Sequence, residues 1–482
     1  MRFLYSLFLI TLSIMACAHA QSRSIDAFAA SQIEQSGAPG VAYATIDNGK
    51  IETGAHGKRL KGSDSPVLPD TPFLIGSISK SFTAMAIMQL VEAGRIELDA
   101  PVADYLDTFQ NSPAGIITIR QLLSHTSGFS TLQGNDAQTL PHRNEDSLQS
   151  QVERIADWTP ASPPGTQWRY SNANYIILGA IIEQVSGQDF ASYIQSQILA
   201  PIGMNDSFLS DGKSHDNMAV GHQPWFWSKR RVDDTSTNRV MAPAGGVVAT
   251  ASDLALYLVV MMNGQDDVIS AKSKAMMMRP ANPVSPYYGL GWGIDPHSGL
   301  ISHSGLTPGV ETYAVFSPDT GKGAVILANA NSGMGFGTNE RLFSEISARA
   351  LGLDEPPTAN IWGTRSLFLT FAALPLVFVT CIAVAWFGRS GLRAKSGAFG
   401  IFSLWFPLLV SLALAWICLW LIPQLFGVSM RTFRLYQPDF SLLLIATAAT
   451  AILWAVFRLA VYYKPAATSR MEVDNTPPPP QT

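Results

Sequence analysis

At 482 residues the chain exceeds what one hydrophobic core ordinarily organises, so two or three folding units are expected. A net charge of -4, with no Lys/Arg run of the kind that follows phosphates, argues against nucleic acid as a partner. The cysteines are Cys17, Cys381 and Cys418, so residues 21–357 fold without disulfides and cannot use cysteine chemistry.

The chain opens with Arg2, an apolar run over residues 3–15 and then Ala18-His19-Ala20, the order of a secretory signal, so residues 1–20 are expected to direct export and be removed. Ile14-Met15-Ala16-Cys17 approaches a lipoprotein processing site, but Met15 fits it poorly and cleavage after Ala20 is the preferred reading. Helical spacing follows over residues 25–35. Strands come next at 40–46 and 51–55, joined across Asp47-Asn48-Gly49, a strong hairpin signal. Residues 77–93, 119–123, 175–185, 190–198 and 252–262 have helical periodicity, with Pro-, Gly- and Asn-rich loops between them. Strands at 312–317 and 323–329 flank Pro318-Asp319-Thr320-Gly321, and a helix at 339–351 closes the stretch.

This order predicts an α/β fold: an antiparallel sheet built from both ends of residues 21–357 and flanked by helices, with an inserted all-helical lobe. The α/β lobe takes residues 21–95 and 240–355, the helical lobe 96–239. A cleft between lobes is the expected site. Loops 132–157 and 215–238 are expected to choose the substrate, with Trp225, Phe226 and Trp227 either lining the mouth or packing on the lobe.

Beyond residue 365 charges thin out, and three charge-free runs, 367–387, 397–423 and 440–457, approach the ~20 residues that cross a ~30 Å hydrocarbon layer. Membrane helices are expected at 367–387, 400–423 and 440–460, with a disordered tail over 464–482. If the globular part lies outside, Arg389, Arg393, Lys395, Lys464 and Arg470 fall inside, against Arg365, Arg431 and Arg434 outside, which follows the positive-inside rule. Trp362, Trp386, Trp405, Trp420 and Tyr436 read as interfacial anchors. The expected location is therefore the cell membrane, with the lipid bilayer as partner and the globular part on its periplasmic or extracellular side.

Ser77-Ile78-Ser79-Lys80 stands where a loop enters a long apolar helix, and a spacing of three puts both side chains on one face. A serine hydroxyl needs a base, and a lysine buried at a positive helix end can lose its charge and become one. Chance alone produces such tetrads, and Ser210-Asp211-Gly212-Lys213 reads as one in a solvent-exposed turn. Tyr170-Ser171-Asn172 offers a phenol able to relay a proton if a nearby ammonium lowers its pKa, and a carboxamide able to hold both Lys80 and a substrate amide. His303-Ser304-Gly305 lies on a returning strand, where Gly lets backbone approach a substrate as an oxyanion donor must. The near-copy His297-Ser298-Gly299 reads as the preceding hairpin turn.

With these three motifs in this order, the sequence resembles the serine β-lactamase and penicillin-binding superfamily, in the branch of class C β-lactamases and secreted D,D-peptidases. Residues 24–353 carry the likeness, supported by Leu122-Leu123-Ser124-His125-Thr126-Ser127-Gly128, Gly245-Gly246 and Tyr288-Gly289-Leu290-Gly291-Trp292-Gly293. The resemblance implies Ser77 as acylated nucleophile, Lys80 and Tyr170 as acid/base pair, and Asn172, His303, Ser304 and Gly305 as substrate-binding residues. It places the oxyanion hole at the backbone N–H groups of Ser77 and Leu306, and implies neither metal nor cofactor. His125 to Gly128 are expected to pack the helical lobe.

Where β-lactamases have a lysine in the third motif this chain has His303, which titrates near ~6.5 when unperturbed and holds a carboxylate weakly. The expected activity is therefore a D,D-peptidase or D-amino-acid amidase of cell-wall peptides working through an acyl-enzyme. The alternatives are an esterase or weak β-lactamase on the same site, or a non-catalytic penicillin-binding sensor. The expected partner is a peptidoglycan-type peptide or another small amide or ester, and the sequence leaves the oligomeric state open.

Overall fold

The computed structural model of the chain describes residues 25–136, 147–354 and 360–464. The expected signal segment, residues 137–146 of the first substrate loop and the tail from residue 465 lie outside the described residues. Two compact units form: the chain up to Leu369 together with Ile422–Leu442, and Thr370–Leu421 with Leu443 onward.

The first unit is an antiparallel sheet flanked by helices. Its strands are β1 (Gly40–Asp47), β2 (Lys50–Gly57), β3 (Phe73–Leu74), β4 (Phe208–Leu209), β5 (His222–Trp225), β6 (Ser228–Arg231), β7 (Val247–Ala249), β8 (Gly293–Ile294), β9 (Ile301–Thr307), β10 (Val310–Ser317) and β11 (Lys322–Ala328). The main sheet runs β2-β1-β11-β10-β9-β8, so the two ends of the domain meet at β1 and β11, where Val41 faces Ala328 and Asp47 faces Lys322. The β1–β2 turn works because Asn48 (φ 50) and Gly49 (φ 82) both take the left-handed region that a tight hairpin demands.

Strand alternation divides the core into two layers. Val41 and Tyr43 of β1 and Ile326 of β11 pack with Ile25, Ala29, Leu342 and Ile346 from the terminal helices. Ala42, Ala44, Ile46, Val325 and Leu327 face the larger core with Phe82, Met85 and Leu254. The Ser79–Glu92 helix is buried along most of its length, with Phe82 stacked 4.1 Å from Tyr257, which explains why it is apolar on nearly every face. The Asn172–Ser186 helix is buried in the same way and stops at Gly187 in the left-handed conformation.

The strand β8, which precedes the hairpin turn at residues 297–299, is only Gly293–Ile294. Gly291 turns at φ +79, and a Cβ there would meet Lys80 O at 3.0 Å and Ala84 Cβ at 2.8 Å, so backbone here is bent to lie on the Lys80 helix instead of pairing.

Three helices are long and apolar enough to cross a membrane: Trp362–Phe387, Gly397–Leu425 and Pro438–Tyr463. Each exceeds its charge-free run by a few residues, because flanking polar residues continue the helix. Ile422–Leu442, read from sequence as the end of one span, a short loop and the start of the next, belongs to the first unit.

Candidate active site

Ser77 is placed by a short sheet and a glycine. Phe73 pairs with Ala249 and Leu74 with Val248, and Ile75 N–H continues the ladder to Val247 O at 3.0 Å. Thr312 Oγ1 of β10 donates to Ile75 O at 2.8 Å. Gly76 then turns at φ +57, where a Cβ would sit 2.7 Å from Leu306 N, so no other residue fits between this turn and β9. Gly76–Ile78 form a 3₁₀ turn leading into the helix that starts at Ser79. Ser77 thus precedes the α-helix that the sequence placed it in, and the tighter winding brings residues three apart nearly into line.

Lys80 is completely buried, and its Nζ lies 3.1 Å from Ser77 Oγ, 2.8 Å from Asn172 Oδ1 and 2.7 Å from Ala244 O. The last two oxygens only accept, so together they take two amine hydrogens. The third direction, toward Ser77, then holds a lone pair in the neutral amine and a hydrogen in the ammonium. Burial drives the Lys80 pKa well below the usual lysine range, favouring the neutral form whose lone pair meets the serine hydroxyl. Asn172 is itself fixed, since its Nδ2 donates to Asn135 Oδ1 at 2.9 Å. It therefore orients Lys80 first and retains one N–H for a substrate carbonyl.

Tyr170 bonds to Ser77 through its hydroxyl, and Lys80 Nζ lies 4.8 Å from its ring centre. The phenol pKa is raised by burial, not lowered by a neighbouring ammonium as the sequence suggested. Tyr170 stays a neutral phenol. Its ring lies against buried His125, centroids 4.3 Å apart. His125 adopts φ 57, its carbonyl accepts from Arg169 N at 2.8 Å and its Nδ1 accepts from Ser171 N at 3.1 Å, so both ends of this residue hold the Tyr170 loop. Ser127 Oγ donates to Asn174 Oδ1 at 2.7 Å, fastening the same helix start.

His303 is buried on β9 with Nδ1 2.7 Å from Ser304 O and Nε2 3.0 Å from Tyr288 Oη. A carbonyl only accepts, so Nδ1 carries the hydrogen and Nε2 accepts from the tyrosine. Burial, then the neighbouring lysine, push its pKa down to about 3. The partial charge expected for it near neutral pH is thus absent, and it braces Tyr288. Ser304 is exposed, while Gly305 is buried against the nucleophile turn: a Cβ there would lie 1.9 Å from Ile75 O and 2.2 Å from Thr312 Oγ1. That absence of side chain lets the Leu306 amide approach the Ser77 turn.

A cavity of about 320 Å³ opens over these groups. Of the predicted residues, Ser77, Asn172 and Leu306 line it; Leu74, Met241, Ala244 and Pro308 add apolar wall, and Asp234, Ser236, Thr237 and Asn238 of the 215–238 loop add polar wall. Gly212 of the second Ser-x-x-Lys tetrad reaches its rim, and Ser210, expected in solvent, is buried. Trp225, Phe226 and Trp227 are not among the lining residues. Leu435 and Tyr436 are, although sequence reasoning read Tyr436 as a membrane-interface anchor. Only their position between two apolar runs was visible, and that favours the membrane reading. Among the described residues no group of three or more His, Cys, Asp or Glu converges as a metal site would require.

Known proteins share this chain's sequence pattern and fold. Residues 25–345 match the family model described as Beta-lactamase. Over 340 residues the chain is 29% identical to penicillin-binding protein 4 of Amycolatopsis lactamdurans, a match spanning 66% of this chain and 87% of that protein. Protein flp of Staphylococcus aureus (strain MRSA252) is 27% identical over 325 residues, or 64% of this chain, which spans only 63% of that relative's length. The crystal structure of a D-stereospecific amidohydrolase from Streptomyces sp. superposes with a TM-score of 0.57 at 25% identity, covering 69% of this chain and 99% of that one.

Proposed function

The chain belongs to the Beta-lactamase family, and from that membership we propose that it is a membrane-anchored serine hydrolase forming an acyl-enzyme on Ser77, with D-amino-acid amides and peptides as substrates. Attack by Ser77 Oγ on the substrate carbonyl passes the hydroxyl proton to Lys80 Nζ, and the resulting oxyanion is received by the N–H groups of Ser77 and Leu306. Tyr170 hands a proton to the departing amine and is reprotonated from Lys80. Water then attacks the ester by the reverse route, releasing the acid and restoring the serine hydroxyl.

The observation that carries the reading is the Lys80 amine, dry and oriented so that its remaining valence meets Ser77 Oγ at 3.1 Å. The substrate preference rests on charge. Among the described residues no Lys, Arg or His lines the cavity, His303 is neutral, and Asp234 is the one lining side chain with a formal charge. A substrate bearing a free carboxylate next to the scissile bond, as in a D,D-carboxypeptidase or β-lactam reaction, meets no cation there. An amidated or internal D-residue, or an ester, meets no penalty. The amidohydrolase similarity supports the amide reading, and catalysis at the outer membrane face remains part of the proposal.

The test is hydrolysis by the full-length protein of D-alanine p-nitroanilide or D-alaninamide, compared with a peptide ending in free D-Ala-D-Ala and with nitrocefin. Preference for the first pair, with a Ser77 acyl adduct by mass spectrometry, is the expected result. Faster release of D-Ala from the free carboxylate would overturn the substrate assignment, and labelling that survives Ser77→Ala would overturn the nucleophile.

A further inference from the structure

Between the second and third apolar helices the chain leaves Leu425, forms a short helix at Met430–Tyr436 and re-enters helix at Pro438. This arm, Ile422–Leu442, is part of the first unit, and two crossings would return it to the side that carries that unit. It is fastened by side chains along its length. Asn135 Nδ2 donates to Gly427 O at 3.1 Å, Gln223 Nε2 to Leu435 O at 2.5 Å, Gln437 Nε2 to Ser332 O at 2.8 Å, and Phe226 N to Asp439 Oδ2 at 2.8 Å.

Two features connect the arm to the chemistry. Leu435 and Tyr436 line the cavity that Ser77 lines, as Leu306 and Pro308 do. A continuous hydrogen-bond chain also runs inward: Asn135 spans Gly427 O and Asn172 Nδ2, and Asn172 Oδ1 accepts from Lys80 Nζ, which meets Ser77 Oγ. Gly427 sits at φ +66, and a Cβ there would lie 2.8 Å from Thr131 Cγ2, so the arm seats closely on the Thr131–Asp136 helix only while residue 427 is glycine.

We propose that the inter-helix arm is a built part of the active site, with Leu435 and Tyr436 forming a specificity wall for an apolar side chain next to the scissile carbonyl, and Asn135 acting as the positioning residue that ties the arm to Asn172 and Lys80. The proposal rests on Ser77 being the nucleophile. The membrane region thereby contributes to substrate choice as well as anchoring. An apolar substrate group finds Leu306, Pro308, Leu435 and Tyr436 among the lining residues, alongside the polar Asp234, Ser236 and Asn238.

The experiment measures Ser77 labelling rates in the full-length, detergent-solubilised protein with two fluorophosphonates, one carrying a methyl group and one a benzyl group. In the parent the benzyl probe reacts faster. Tyr436→Ala, Leu435→Ala and the seat-breaking Gly427→Val should each lower the benzyl-to-methyl ratio, by about tenfold for Tyr436→Ala, while methyl labelling persists and reports an intact fold. Asn135→Leu should slow both probes equally and steepen the dependence of labelling on pH, whereas Asn135→Gln should restore part of the rate. Unchanged ratios in all three wall variants, with methyl labelling intact, would overturn the wall and leave the nucleophile standing. Absence of Ser77 labelling in the parent would overturn both.

Discussion

The chain carries two Ser-x-x-Lys tetrads in opposite environments. In 77–80 the serine lies in the 3₁₀ turn that leads into a buried helix and the lysine is dry, its amine divided among Ser77 Oγ, Asn172 Oδ1 and Ala244 O. In 210–213 the serine hydroxyl is consumed by Thr237, donating to its carbonyl at 2.7 Å and accepting from its N–H at 3.1 Å, and Lys213 is exposed. Identical spacing yields a serine facing a buried amine in one place and a loop fastening in the other. What separates them is desolvation, which lowers the lysine's pKa, and an acceptor pair that orients its amine.

Replacing the first serine breaks the comparison most severely. Ser77→Ala should lower kcat/KM by about 10⁴-fold or more and abolish the acyl adduct, read by substrate turnover and intact mass. Lys80→Met should cost about 10²–10⁴-fold in kcat/KM. In the parent, activity should fall as pH drops and Lys80 takes up its proton, with that limb below the ordinary lysine range. The stability sign follows from the same burial. The folded state binds fewer protons at Lys80 than the unfolded chain, whose lysines titrate near ~10.4, so this group makes the parent lose stability as pH falls through that window. Lys80→Met removes this dependence, which thermal melts across pH 6–10 would detect, using ~10.4 as the upper reference.

Gly305→Ala tests the third element. Its Cβ would lie 1.9 Å from Ile75 O, forcing β9 away from the Ser77 turn. Loss of one oxyanion donor should reduce kcat by about 10²-fold with less change in KM, and a parent-like kcat would remove Leu306 from the oxyanion hole. The smallest effects belong to the second tetrad. Ser210→Ala should destabilise the Thr237 segment by about 1 kcal/mol, seen in denaturant melts as a modest shift. Lys213→Ala should stay within about 0.5 kcal/mol of the parent and leave labelling of Ser77 unchanged.

Much of this was legible in the chain order of residues. The β1–β2 hairpin follows from Asn48-Gly49, the sheet from strands at both ends of the domain, and the apolar helices from charge-free length. The site motifs could be read because Ser77, Lys80, Tyr170 and Asn172 fall at helix starts and turns with recognisable chemistry. The protonation states could not. Tyr170 is raised and His303 lowered by burial among groups distant in sequence, and spacing carries no measure of burial.

The sequence by itself determined the candidate serine–lysine pair, since local periodicity and turn chemistry suffice to place the two on one face of one helix entry. Only the tertiary structure decided how that pair is charged and what surrounds it. Burial lowers the Lys80 pKa, and elements some ninety to a hundred and sixty residues away in the chain orient its amine through Asn172 and Ala244. Leu435 and Tyr436, which look like membrane-interface residues in one dimension, line the cavity because hydrogen bonds from Asn135, Gln223 and Gln437 hold their segment on the hydrolase fold. Desolvation and long-range hydrogen bonding depend on the whole packed surface, and no local pattern encodes them.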